Sequence, residues 1–446
     1  MDMHTDASSP DRRRFLRLTG SAVATAGILG LGGQSAWAQA GATPAAGDSH
    51  VAPAKDLPAA ISLPPMQEDK SEKSRMPVQL GKDSRLGLAI VGLGRLSLEE
   101  ILPALANSKR CRVTALVSGD PAKARQVAAM YDVPETSLYD YQTFDQIRNN
   151  PDVQAVYIVL PNALHKAFTE RAAKAGKHVL CEKPMATSVA DCQVMIDACK
   201  AAGRLLMIAY RIQYEPLNRQ VKDWARGGSV LGKIKLITMA NCQNQSKENI
   251  RQWRHIKALA GGGALPDIGL YCLNTARFLL GEEPIEVLAT QYSTEGDARF
   301  AEVEEAILWQ MRFPGGVRAQ CTASYAGFTS RQYRVLGEKG WANMDPAFGY
   351  NGLQLKRSRM AEDTDEFMAP GIEQITPQEK NQFALEMDHF AECVAGGKQP
   401  WTPGEEGLQD QRIMEAIYES ARTGRAVELA PVKGLDAFRG TEPTKP

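Results

Sequence analysis

The sequence has no surplus of either charge. Its 446 residues carry 52 Lys and Arg against 52 Asp and Glu, a formal net charge of zero. That balance gives no hint of a nucleic-acid binder, nor of a field that would steer a strongly ionic substrate. None of the eight cysteines (111, 181, 192, 199, 242, 272, 321 and 393) forms a Cys-x-x-Cys pair, and no histidine cluster lies beside them. A metal site is therefore not expected. Many of these cysteines sit in apolar contexts such as "VLCEK", "IDACK" and "AECVA", as small buried hydrophobes do, and nothing specifies a disulfide pairing. The apolar run Leu18–Gly33 is too short and too rich in glycine to span a bilayer as a stable helix, so no stable membrane anchor is expected. There is no internal repeat.

What is present starts with an address. Arg12-Arg13-Arg14-Phe15-Leu16-Arg17 matches the twin-arginine export pattern, and Ala36-Trp37-Ala38 is a small-x-small cleavage site. The expectation is a signal peptide over residues 1–38, cut near Ala38, with delivery to the periplasm by the twin-arginine machinery. That route carries proteins already folded, so a cofactor can travel inside one. Residues 39–83 are dominated by Pro, Ala and charge. They read as an arm, either a disordered linker or an extended segment docked on the body or on a neighbouring subunit.

The body is long enough, with 43% hydrophobic residues in the chain, to bury a sizeable core. "RLGLAIV" (85–91) reads as a strand that runs into Gly92-Leu93-Gly94-Arg95-Leu96-Ser97, followed by a helix and the strand "RVTALVSG". Strand, glycine turn, helix, strand is the order of a dinucleotide-binding fold. Gly92 permits the tight turn and Gly94 a close approach to pyrophosphate, which the helix N-terminus attracts. Ser97 replaces the third glycine, so a slightly looser helix–strand contact is expected. The second strand ends Val117-Ser118-Gly119, with Lys123 on the next helix. A hydroxyl and an ammonium suit a 2′-phosphate, which favours NADP; Asp120, able to reach a ribose hydroxyl, is the argument for NAD.

Alternation continues through "VQAVYIVLP", "KHVLCEKP" and "RLLMIAY", as expected of a doubly wound parallel sheet over residues 84–210. After about residue 230 strand-like runs follow one another with few helices between them. This predicts an α+β domain over 211–430 with a large, open, mostly antiparallel sheet, one face of which is free to meet another subunit. Residues 431–446 are read as a C-terminal tail.

The glycine loop, Cys181-Glu182-Lys183-Pro184 at a strand end, and "GGGALPDIGLYCLNTARFLLGEEPIEV" (261–287) together resemble the Gfo/Idh/MocA oxidoreductase family. The resemblance covers most of residues 85–427. It implies a tightly held NADP, sugar substrates, a homodimer or homotetramer, and an arm folded over the adenosine end of the nucleotide. It also implies a catalytic set at Lys183, Asp267 and Tyr271. Free tyrosine titrates near pH ~10, so Tyr271 needs a nearby ammonium to act as a proton carrier at neutral pH, and Lys183 is the candidate. Asp267, four residues before Tyr271, shares its face if the segment is helical, and either binds a sugar hydroxyl or orients Lys183. Cofactor contacts are expected at Gly92, Leu93, Gly94, Arg95, Leu96, Ser118, Lys123, Tyr141, Leu160, Pro161, Asn162, His165, Glu182, Lys183, Arg211, Trp253, Arg254 and Tyr350, with His165 on the nicotinamide side. His178 is read as structural. The expected reaction is oxidation of an aldose such as glucose to its lactone, coupled to reduction of a second sugar such as fructose. A dehydrogenase or aldose–aldose oxidoreductase acting on other sugars or polyols, and a non-catalytic sugar- or nucleotide-binding protein, are the alternatives.

Overall fold

The computed structural model describes residues 84–359, 371–376 and 380–444. The export signal and the arm expected over 1–83 lie outside the described residues. Six strands form one parallel sheet: β1 (Leu86–Val91), β2 (Cys111–Val117), β3 (Leu138–Tyr139), β4 (Ala155–Ile158), β5 (His178–Glu182) and β6 (Leu206–Ala209). Their order is β3-β2-β1-β4-β5-β6, and every pair is parallel. All of β1 and β4 is buried, which is why both read as unbroken apolar runs rather than alternating ones.

The helices of this half are α1 (Leu102–Ala104), α2 (Pro121–Tyr131), α3 (His165–Lys174) and α4 (Val189–Ala201). A wide π-turn over Ser97–Ile101 leads into α1. Ser97 is fully buried, and its hydroxyl donates to the Gly92 carbonyl at 2.6 Å. The looser contact expected from replacing the third glycine is thus corrected: the serine fastens the helix to the turn.

The second half opens with α5 (Pro216–Gly227) and builds a nine-stranded sheet. Its strands are β7 (Ile234–Asn244), β8 (Glu286–Tyr292), β9 (Ala306–Arg312), β10 (Arg318–Ser324), β11 (Ala326–Gly337), β12 (Gly340–Met344), β13 (Leu355–Arg359), β14 (Ile372–Ile375) and β15 (Val427–Glu428). The order is β14-β13-β12-β11-β7-β10-β9-β8-β15, and only β7 and β10 pair in parallel. β8 and β9 alternate: Val287, Ala289, Ile307, Trp309 and Met311 are buried, while Leu288 and Leu308 face out. Helices α6 (Lys257–Ala260), α7 (Leu270–Leu280), α8 (Gln382–Gly396) and α9 (Gly404–Thr423) complete the described fold. α7 packs on β7 and β10, and α9 on β8.

The C-terminal stretch is part of this body. Asp436 pairs with Arg226 on α5, and the buried Arg439 side chain reaches Glu406 on α9 at 2.7 Å. Among the described residues all eight cysteines are free, and seven are buried. No helix among them is long and apolar enough to cross a membrane, and no cluster of potential metal ligands is present among them.

Candidate active site

Parallel strands deliver their following residues to one edge. Register pairs Val91 with Ile158, Ile158 with Cys181, and Cys181 with Ile208. The next residue on each chain therefore stands in a second row: Gly92, Val159, Glu182 and Ala209. Gly92 and Glu182, two strand spacings apart, are on the order of 10 Å from each other. Gly92 needs its glycine on two counts. Its φ is 98°, and a Cβ would lie 2.3 Å from the Val159 carbonyl oxygen. Leu93 is buried, Arg95 pairs with Glu99 at 2.8 Å on the surface, and Leu96 opens the π-turn that follows Gly94.

At the end of β2, Ser118 is buried and its hydroxyl accepts the Asp120 N–H. The Asp120 carboxylate is drawn into the N-cap of α2, taking the N–H groups of Ala122 and Lys123 at 2.9 and 3.0 Å. The Asp120 carboxylate at this strand end is thus engaged by its own helix rather than free to take a ribose hydroxyl. That arrangement fits the adenosine end of NADP better than that of NAD. Tyr141, beyond β3, is buried edge-on to Phe168.

After β4 come Leu160, Pro161 and Asn162. Asn162 Nδ2 donates to the Ala260 carbonyl at 2.8 Å and so ties this edge to α6. His165 is fully buried, with its ring nitrogens 2.9 Å from the Pro184 carbonyl and 2.8 Å from the Leu160 carbonyl. Burial pulls its pKa down. His165 thus bridges two main-chain segments, Leu160 and the turn after Lys183. The Lys183–Pro184 peptide is cis. His178 takes the Leu205 N–H at 3.0 Å, between β5 and β6.

Glu182 accepts the Tyr157 hydroxyl at 2.8 Å and the Lys183 N–H at 3.2 Å. Lys183 turns towards the second domain. Its Nζ donates to the Asp267 carbonyl at 2.6 Å, lies 3.6 Å from Asp267 Oδ1, and stands 4.5 Å above the Tyr271 ring. Asp267 sits not in an α-helical turn but in a π-turn, Leu265–Gly269, in which the Leu270 N–H reaches the Leu265 carbonyl. Wide turns release carbonyls from the helical ladder. Here the carbonyls of Asp267 and Ile268 are taken by Lys183 Nζ and by Asn241 Nδ2 from β7. Gly263 admits the chain into this turn, since a Cβ there would lie 2.1 Å from the Glu304 carbonyl oxygen.

Asp267 Oδ2 accepts Arg254 Nε at 3.0 Å and the Tyr325 hydroxyl at 2.7 Å. Burial alone would raise its pKa, but Arg254, Lys183 and the Tyr325 hydroxyl outweigh burial and hold the carboxyl at about 2. Arg254 also stacks on Trp253, 4.4 Å from the ring centroid. The Tyr271 hydroxyl receives Arg211 Nη2 at 3.0 Å. Arg211 further lies 4.5 Å from the ring centroid of Tyr350, which is half-exposed.

The structure thus brings Lys183, Asp267, Tyr271, Arg211, Arg254 and Tyr350 into one cluster. Gly92, Ser118 and Leu160 stand along the sheet edge, and Lys123 sits on α2. Tyr325, Asn241 and Gln382 belong to the cluster and carry no signal in the sequence, because nothing local marks their partners.

Two family models match: the "Oxidoreductase family, NAD-binding Rossmann fold" over residues 86–210, and the "Oxidoreductase family, C-terminal alpha/beta domain" over 227–429. D-xylose 1-dehydrogenase [NADP(+)] of Haloarcula marismortui is 35% identical over 79% of this chain and 95% of that protein. The solved aldose–aldose oxidoreductase of Caulobacter crescentus, complexed with glycerol, is 45% identical with a TM-score of 0.73, over 77% of this chain and all of that one. A 3-ketoreductase from Actinomadura kijaniata, solved with NADP and TDP-benzene, is 25% identical with a TM-score of 0.65 over 75% of this chain and 98% of its own. With both domain models matched in order, the chain belongs to the Gfo/Idh/MocA oxidoreductase family.

Proposed function

We propose that this protein is an NADP-dependent sugar oxidoreductase that oxidises an aldose to its lactone and reduces a second sugar with the same, retained nucleotide. Gly92 and Gly94 would receive the pyrophosphate, and Ser118 with Lys123 the 2′-phosphate. NADP supplies the hydride acceptor of the first half-reaction and the donor of the second. The observation that carries the reading is Tyr271, its hydroxyl fixed by Arg211 at 3.0 Å and its ring covered by the Lys183 ammonium, 4.5 Å from the ring centroid. That oxygen takes the proton from the aldose C1 hydroxyl and returns it to the carbonyl oxygen of the second sugar. Asp267, ionised and held from three sides, is an acceptor for a sugar hydroxyl and keeps Lys183 over the ring.

Glucose with fructose is the pair put forward. The 45% identity to an aldose–aldose oxidoreductase favours a second reading, in which the hydride acceptor is also an aldose. Incubating the purified protein with sugar pairs and no added nucleotide separates the two. The expected products are a lactone and a polyol in equal amounts, with nucleotide absorbance travelling with the protein. Turnover that occurs only when nucleotide is added would end the retained-cofactor idea.

Export to the periplasm by the twin-arginine route belongs to the same proposal, supported by Arg12–Arg17 and Ala36–Ala38. It predicts a mature N-terminus near residue 39 in a periplasmic fraction. The outward face of the second sheet, with Leu288 43% and Leu308 46% exposed, supports a homo-oligomer, to be read by light scattering.

A further inference from the structure

The segment that carries Asp267 and Tyr271 begins without a cap of its own. Residues 261–266 read Gly-Gly-Gly-Ala-Leu-Pro, with no Ser, Thr, Asp or Asn to take the N–H groups at the mouth of the π-turn. The glycines also leave the entering backbone without a preferred conformation. Both tasks fall to a side chain 41 residues from Gly263.

Glu304 stands just ahead of β9 and is 7% exposed. Its Oε2 accepts the Gly263 N–H at 2.8 Å, and its Oε1 accepts the Leu265 N–H at 2.9 Å. Oε1 also accepts the Tyr418 hydroxyl from α9 at 2.9 Å, and the Glu304 carbonyl takes the Ala264 N–H at 3.3 Å. Successive N–H groups at 263, 264 and 265 thus end on one residue, and Pro266 has none to offer. The approach is close: a Cβ on Gly262 would lie 1.9 Å from Tyr418 Oη.

The next residue holds the other side of Asp267. The Glu305 carbonyl accepts the Tyr325 N–H at 2.8 Å, and the Tyr325 hydroxyl donates to Asp267 Oδ2 at 2.7 Å. Residues 304 and 305 therefore fix the turn through its main chain and through its carboxylate at once. A local cap would fasten the helix only to itself, whereas this one fastens it to the sheet.

We propose that Glu304 is a positioning residue for sugar oxidation, its carboxyl group setting where Asp267 and Tyr271 stand. It acts through the main chain, from the Leu265 N–H onward along the π-turn. The inference rests on the roles given to Asp267 and Tyr271 under the proposed function and adds what places them.

The experiment uses the full-length protein with its nucleotide, comparing wild type with Glu304→Gln and Tyr418→Phe. Glutamine keeps the shape, but an amide nitrogen has no lone pair for an N–H, so one main-chain bond is lost. Tyr418→Phe removes a bond from the same carboxyl group and leaves both main-chain bonds in place. Both variants should melt below wild type. Only Glu304→Gln should slow aldose oxidation at saturating sugar, per nucleotide bound, by about 10- to 100-fold, with Tyr418→Phe within about twofold of wild type. A second readout needs no sugar. Hydrogen exchange in peptides spanning 261–271 should quicken by about tenfold or more in Glu304→Gln, with β1 unchanged. A wild-type rate in Glu304→Gln, or an equal loss in Tyr418→Phe, overturns the proposal whatever the melting temperatures. So does unchanged exchange at 261–271. If Glu304→Gln does not fold, Glu304→Asp, one methylene short of the turn, is put to the same two readouts. A wild type that turns over no sugar sinks the proposed function, while the exchange still decides whether Glu304 holds the turn.

Discussion

At the scale of single residues, the site is a set of hydrogen bonds converging on two oxygens, Tyr271 Oη and Asp267 Oδ2. Tyr271→Phe removes only the hydroxyl, since the ring stays packed against Phe348 at 5.9 Å. Sugar oxidation should fall by about 10²- to 10⁴-fold, the usual worth of a placed proton carrier, with an unchanged thermal midpoint. A variant as fast as wild type would remove Tyr271 from the chemistry. Asp267 has a signature in stability as well. Its folded pKa, about 2, lies below its ordinary 3.8. Its contribution is therefore complete above pH 3.8 and drains away as the pH falls towards 2. Denaturant titrations of wild type and Asp267→Asn at a series of pH values should show a stability gap that narrows across that window. A gap that stays constant with pH would contradict the ion-pair account. The Lys, Asp and Tyr were legible as candidates because a resemblance singled them out. Tyr325 was not, because its bond to Asp267 joins positions 58 residues apart through the packing of β10 against the π-turn.

At the scale of elements, two π-turns stand beside the two chemistries, one after the glycine loop and one ahead of Tyr271. Sequence patterns resolve apolar period well, and the parallel strands showed plainly as continuous apolar runs ending in glycine or polar residues. They do not resolve whether a turn holds 3.6 residues or more, so a face shared by Asp267 and Tyr271 followed only on the condition of an α-helix, and the chain forms a π-turn there instead. They also hide what a serine does once buried: Ser97 reads as a missing glycine and acts as a fastener. Gly92→Ala tests the first turn. A methyl group would meet the Val159 carbonyl oxygen at 2.3 Å on a backbone with φ of 98°. The expected result is loss of bound nucleotide and a destabilisation of about 1–3 kcal/mol, read by absorbance and by thermal unfolding. Full nucleotide content in that variant would mean that the turn tolerates a shift of β4.

At the scale of the whole molecule, a buried charge cluster ties together segments of the second half that are far apart in sequence. Arg277 binds Glu283, Glu406 and Asp410, all with almost no exposure. Glu406 also takes Gln213, two residues from Arg211, and Arg439 from near the end of the chain. Residues 431–446 read as a plain tail in the sequence, since isolated charges without a period look solvated. Their role appears only when Arg439 is seen with zero side-chain exposure against Glu406. Arg439→Met should lower stability by about 3 kcal/mol, because it leaves part of a buried anion uncompensated. The same change should leave the pH profile of turnover in place. An unaltered melting temperature would show that Arg277 alone satisfies Glu406.

That buried arginine has a consequence for proteolysis. A cut between α9 and position 439 would take one of two cations away from Glu406 while leaving every residue of the crevice in place. Trimming there should therefore loosen the interior before it touches the chemistry.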